Sequence, residues 1–292
     1  MKINMGDGGM RLRFITALTL IPIVAALVWW PPLMYAYVAM VAVLVYLGAV
    51  EFFRIAKHAN IDTAGGFLPI IAVLLALVTG FNNIFNLYPQ AILLFFIFVV
   101  ILIQIFTMKH TIAGVSAAVF GIMYTGYCGS YFISLYRDRE YGPALITILL
   151  VTIGSSDTGA YLIGKAVGRH KLAPRLSPNK TIEGSIAALC CGVLAGAVLY
   201  LLKERMDWSS YPSWPIGIYM LAGFLLSIIG QFGDLTESLL KRNAEIKDSG
   251  TVFPGHGGVL DRCDAFLFGA PALFFLVDYF DKFIAPIFLI DF

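Results

Sequence analysis

Apolar residues along this chain gather into runs near or above 18 residues, separated by short polar breaks. Runs of that length predict helices that cross a bilayer rather than the core of a soluble domain. Nine can be marked: Phe14–Trp30, Leu33–Phe53, Phe67–Phe85, Ala91–Met108, Ile112–Leu135, Pro143–Val167, Ile182–Leu202, Ile216–Phe232 and Asp261–Phe280. The third has only a short uninterrupted apolar part, and the ninth carries Asp278 near one end. The closing IAPIFLIDF is too short to cross again and is expected at the interface. There is no heptad run, low-complexity tract or soluble domain. The pattern predicts an all-α polytopic membrane protein of about nine spans. Residues 1–140 form an N-terminal set of five spans, and residues 141–292 a region of four spans with two polar loops.

Composition agrees: of 292 residues, 59% are hydrophobic and 13% charged, against about 25% charged in an ordinary soluble domain. A net charge of +2 is too small to imply a nucleic-acid partner. The distribution of charge is more telling. With the spans above, fifteen of the 20 Lys and Arg residues fall on the N-terminal side and five on the other. The positive-inside rule then puts the N-terminus and both long loops, Gly168–Thr181 and Gly233–Leu260, in the cytoplasm, and the C-terminus outside. Four cysteines without C-x-x-C spacing read as buried packing residues rather than a zinc or disulfide framework.

Candidate chemistry concentrates in the two loops. GAYLIGKA, Gly159 to Ala166, imitates a P-loop, but Ala166 stands where Ser or Thr would hold Mg²⁺, and the stretch lies inside an apolar span. Its glycines suit close helix approach instead. Asp157, well inside the sixth span, should face a partner such as Lys165 or a wet cavity. In GRHKLAPRLSPNKTIEG, the residues Arg175, Ser177 and Lys180 precede a helix that Thr181 can cap. Unpaired N–H groups and an ammonium at one place favour a phosphate site over a merely lipid-facing basic loop.

The most specific stretch is KDSGTVFPGHGGVLDRCDAF, Lys247 to Phe266. Gly255, His256, Gly257 and Gly258 require irregular backbone whose N–H groups can crowd an anion. Asp261 and Asp264, three apart, share a face of the following helix and repel each other unless a cation or the helix N-terminus offsets them. With Asp234 they form an oxygen-rich set suited to Mg²⁺, and Asp157 is a weaker candidate. The plainer alternative is helix capping with a salt bridge to Arg262, which accounts for one aspartate only.

At these residues the chain resembles the phosphatidate cytidylyltransferases, or CDP-diacylglycerol synthases. SLLKRNAEIKDSGTVFPGHGGVLDRCDA, Ser238 to Ala265, follows their signature of Ser, Lys-Arg, Lys-Asp, His-Gly-Gly and Asp-Arg-x-Asp. A second match runs from Ser156 to Gly184, with Asn179 in place of a usual lysine and Ile182 in place of a usual tryptophan. The resemblance implies a multi-pass inner-membrane enzyme, a homodimer, that uses CTP, phosphatidic acid and Mg²⁺ and has room for a monovalent cation such as K⁺. Phosphatidate would attack the α-phosphorus of CTP, giving CDP-diacylglycerol and pyrophosphate. Asp234, Asp261, Asp264 and Lys180 would be catalytic, with the aspartates on the metal. Lys241, Arg242, Lys247, Arg262, Arg175, Ser177 and the Gly255–Gly258 segment with His256 would serve the phosphates. The rival is a secondary transporter or channel with a carboxylate ion path, which leaves the KR…KD…HGG…DRxD order unexplained.

Overall fold

A computed structural model of the chain describes residues 21–63, 66–82, 87–107, 111–137, 141–250, 252, 257–280 and 282. Nine helices are used below: α1 (Met34–His58), α2 (Leu68–Gly80), α3 (Pro89–Phe106), α4 (Ile112–Gly121), α5 (Cys128–Arg137), α6 (Gly142–Val167), α7 (Ile182–Met206), α8 (Ile216–Asn243) and α9 (Leu260–Tyr279). Residues 21–29 are also helical. Prolines in the first turns of α2, α3 and α6 start helices where a missing N–H costs nothing. Thr111 and Thr181 cap α4 and α7 with their side-chain oxygens.

Six helical stretches among the described residues have the length and apolarity to span a bilayer: Pro31–His58, Pro89–Phe106, Ile112–Arg137, Gly142–Val167, Ile182–Met206 and Ile216–Asn243. They coincide with six of the nine predicted runs. The third run is realised as α2, whose 13 residues extend about 20 Å, short of the ~30 Å hydrocarbon core. The ninth run is α9, 20 residues long and bearing Asp261, Arg262, Asp264 and Asp278. Most of the first run's N-terminal half, and the tail predicted to rest at the interface, lie outside the described residues.

Two departures from a simple row of helices matter. Ile112–Arg137 is interrupted by a π-helical turn, Ile122–Tyr127. The predicted loop Gly168–Thr181 is not irregular but contains an antiparallel hairpin, β1 (Lys171–Ala173) with β2 (Ser177–Thr181), pairing Lys171 with Thr181 and Ala173 with Ser177. Glu183 ties its base down. Its carboxylate accepts from the N–H groups of Arg169 and His170 at 3.1 and 3.2 Å and contacts His170 Nδ1 at 2.7 Å.

The chain divides into two compact units, Met1–Ile133 with Leu240–Cys263, and Ser134–Leu239 with Asp264–Phe292. In the first, α1, α2, α3 and α4 pack together with the π-helical turn, around Phe52, Phe120 and Tyr124. A Cβ at Gly126 would lie 2.6 Å from the carbonyl oxygen of Ala72, so the turn presses directly on α2. In the second, α6 packs along α7. Gly192 of α7 and Gly223 of α8 each have the other's backbone where a Cβ would stand. Gly159 and Gly164 of α6, the glycines expected to allow close helix approach, lie against Cys191 and Gly184 of α7.

Candidate functional site

The predicted residues fall into two clusters, one in each unit. In the first, α8 runs past the apolar stretch to Asn243 because nothing between Gly233 and Arg242 breaks it. The chain leaves that helix through Glu245 at φ 56°. Lys241, on the last turn, reaches the start of α9 and donates to Asp261 Oδ1 at 2.6 Å. Asp261 Oδ2 accepts two further bonds, from Ser249 N–H at 2.9 Å and Gly258 N–H at 2.8 Å, and lies 2.9 Å from Ser249 Oγ. One carboxylate thus joins the helix end, the intervening loop and the glycine segment. Gly257 adopts φ +84°, and a Cβ there would stand 2.6 Å from Asp261 Oδ2. Only glycine suits that position.

The second acid in this cluster is Glu51, from the polar end of α1. It is 2% exposed. Its Oε1 accepts from Val259 N–H at 3.0 Å, and its Oε2 from Leu260 N–H at 2.8 Å and Ser249 Oγ at 2.9 Å. Sequence reasoning did not single out Glu51 or Ser249. A signal for Glu51 existed, since it is a carboxylate inside the predicted second span, the kind of residue that marks function.

In the second unit, Lys180 ends β2 and pairs with Asp234 of α8 at 2.6 Å. Asp157 of α6 lies within electrostatic reach of both. Its lysine neighbour is therefore Lys180, whereas Lys165 lies over the Tyr161 ring, 5.7 Å from its centroid. Thr181, next in sequence, accepts from Gly184 N–H at 3.1 Å and caps α7 as expected. Gly233, beside Asp234, lies against the backbone of Asp264. Asp264 is buried, and its Oδ1 accepts from Ala265 N–H at 2.8 Å.

Other predicted residues are placed differently. The N–H of Gly258, expected to face phosphate, donates to Asp261. Gly255 and His256 lie outside the described residues. Arg242, Lys247 and Arg262 are exposed, as is Arg175 on the hairpin turn, while Ser177 is half-buried at the start of β2. Among the described residues no group of three or more His, Cys, Asp or Glu side chains is arranged to hold a metal ion by itself. Mg²⁺ commonly takes one or two carboxylates and completes its shell with water and substrate phosphates. Asp157 and Asp234 supply such oxygens, already balanced by one ammonium.

Each cluster couples a carboxylate to a lysine at 2.6 Å. The chain is 33% identical over 245 residues to the phosphatidate cytidylyltransferase of Bacillus subtilis (strain 168), covering 82% of this chain and 88% of that protein. It is 43% identical over 159 residues to that of Staphylococcus aureus (strain COL), covering 53% of this chain and 57% of that one. The Staphylococcus haemolyticus (strain JCSC1435) protein of the same name is 41% identical over 157 residues, with the same coverage. Residues 11–280 match the cytidylyltransferase family. With a match that takes in both clusters, this chain belongs to the cytidylyltransferase family.

Proposed function

We infer that the chain is a CTP:phosphatidate cytidylyltransferase, a membrane nucleotidyltransferase of phospholipid biosynthesis that takes CTP and phosphatidic acid to CDP-diacylglycerol and pyrophosphate. The observation that carries this is the match over residues 11–280 together with relatives of that name. The transporter alternative is not favoured. The test is pyrophosphate release by purified protein in mixed micelles. Release should require CTP and phosphatidic acid together, and release without the lipid would contradict the reading.

The chemistry proposed is displacement at phosphorus. An oxygen of phosphatidate forms a bond to the α-phosphorus of CTP, and the bond from that phosphorus to the bridging oxygen breaks, releasing pyrophosphate. The nucleophile is already an anion near neutral pH, so alignment and charge neutralisation suffice and no strong base is needed. Lys180, Lys241, Arg242, Lys247 and Arg262 are assigned to phosphate charge, with Arg175 and Ser177 on the hairpin beside Lys180. The backbone of the glycine segment with His256 is assigned to the triphosphate. Asp234, Asp264, Asp261 and Asp157 are assigned to Mg²⁺, which when bound would offset phosphate charge. For Asp261 that role requires an exchange with Lys241, since its oxygens are already engaged. A homodimer and a monovalent cation such as K⁺ are proposed on the family resemblance alone.

Nine spans are proposed from the apolar runs, with α2 crossing as a short helix. A cytoplasmic N-terminus, an external C-terminus and an inner-membrane location with both loops in the cytoplasm are proposed from the charge asymmetry and the resemblance. Exposed positions test the orientation. Asp248→Cys should react with an impermeant maleimide only after cells are permeabilised. Ser209→Cys, in the loop after α7, should react in intact cells, above the background of the four native cysteines. The reverse pattern would invert the topology.

A further inference from the structure

Glu51 is used by none of the roles above, yet both of its oxygens are consumed by the segment that presents Asp261. Val259 N–H and Leu260 N–H donate to it at 3.0 and 2.8 Å, and Ser249 Oγ lies 2.9 Å away. The same hydroxyl lies 2.9 Å from Asp261 Oδ2 and has one proton to give. The two carboxylates therefore share a donor. Any movement of Glu51 alters what Ser249 can offer Asp261.

Simple capping explains little of this. A helix N-terminus is satisfied by a nearby Ser, Thr, Asp or Asn, as Thr111 and Thr181 show in this chain. At α9 the acceptor comes instead from a helix 208 residues earlier in sequence, and it is a carboxylate buried to 2% exposure. Burying that group is costly unless it is fully bonded. Here every bond it makes lands within two residues of Asp261 or on Ser249, which itself touches Asp261.

We propose that Glu51 is a positioning residue for cytidylyl transfer. It locks the junction of Ser249, Val259 and Leu260, so that the Asp261 carboxylate keeps one direction and one set of partners. The proposal rests on the assignment of Asp261 to the reaction. Glu51→Gln keeps size but places an amide NH₂ against a backbone N–H, breaking one arm of the lock.

The experiment is a kinetic cycle of Glu51→Gln, Asp261→Asn and the double variant, with turnover expressed per folded molecule. Glu51→Gln should lower kcat about 10- to 100-fold, as loss of a supporting bond behind a functional group does, with KM for CTP close to the parent's. In the Asp261→Asn background the same change should have almost no effect on residual kcat, because the group it acts through is gone. A merely structural residue would lower the folded fraction and leave kcat per folded molecule intact in both backgrounds. That result, or equal losses of kcat in both backgrounds, overturns the proposal. If Asp261→Asn itself turns over like the parent, the assignment of Asp261 falls and the proposal falls with it. Should Glu51→Gln not accumulate as folded protein, Glu51→Asp is measured instead. It keeps the charge but withdraws it by one methylene, and a parental kcat in it overturns the proposal.

Discussion

Asp261→Asn is expected to lower turnover roughly a hundredfold or more, the scale of losing a preorganised charge at a reacting phosphate, and to lower thermal stability as well. Asp261 carries the Lys241 ammonium on one oxygen, and on the other the N–H groups of Ser249 and Gly258 with the Ser249 hydroxyl it shares with Glu51. Asparagine can present its oxygen to one side only. Its NH₂ then meets either the ammonium or two backbone N–H groups, and a lysine whose side chain is 14% exposed loses its counter-ion. Bonds to charged groups contribute about 1.5–3 kcal/mol each, so a clear drop in Tm follows. Replacing both partners with neutral groups removes the half-buried charge that Asp261 offsets and can be close to neutral in stability. The double variant Lys241→Met with Asp261→Asn should therefore regain much of the lost Tm while remaining inactive. Recovery of both stability and activity would reduce Asp261 to a structural anchor.

Lys180→Met should cut turnover by about the same factor, for a different reason. Lys180 is the cation beside Asp234, with Asp157 in reach of both. Removing it leaves two electrostatically coupled carboxylates without that ammonium, an arrangement that like-charge repulsion disfavours. Tm in metal-free buffer should fall. Added Mg²⁺ should then raise the variant's Tm more than the parent's, since a ligand that binds only the folded state stabilises by mass action. Lys180→Arg should recover part of the activity, because a planar fork does not replace a compact ammonium against a single carboxylate oxygen. Equal Mg²⁺ shifts in parent and Lys180→Met, with turnover retained, would return the hairpin to a lipid-surface role.

Much of this arrangement is legible in sequence because it is local. Thr181 is read as a cap from its place before an apolar run, and six spans are read from length alone. What offsets the charge of Asp261 is not legible. Lys241 is twenty residues away and Ser249 twelve, and no periodicity links them. Glu51 is harder still, since its partners lie about 200 residues on. The hairpin is hidden by Pro174 and Pro178, which read as loop, and its strands are only three and five residues long. The π-helical turn Ile122–Tyr127 leaves the apolar run unbroken, so hydropathy passes over it.

The central claim is that this protein moves the cytidylyl group, with its α-phosphate, onto the phosphate of a lipid. The direct measurement is the fate of label in CTP. Purified protein is incubated with Mg²⁺, phosphatidic acid and CTP labelled at either the α- or the γ-phosphate, and the mixture is partitioned between organic and aqueous phases. The account predicts that α-label enters the organic phase in a one-to-one ratio with pyrophosphate formed, while γ-label stays aqueous in that pyrophosphate. Label from the γ-phosphate in the lipid, or α-label that remains wholly aqueous while CTP is consumed, would contradict it.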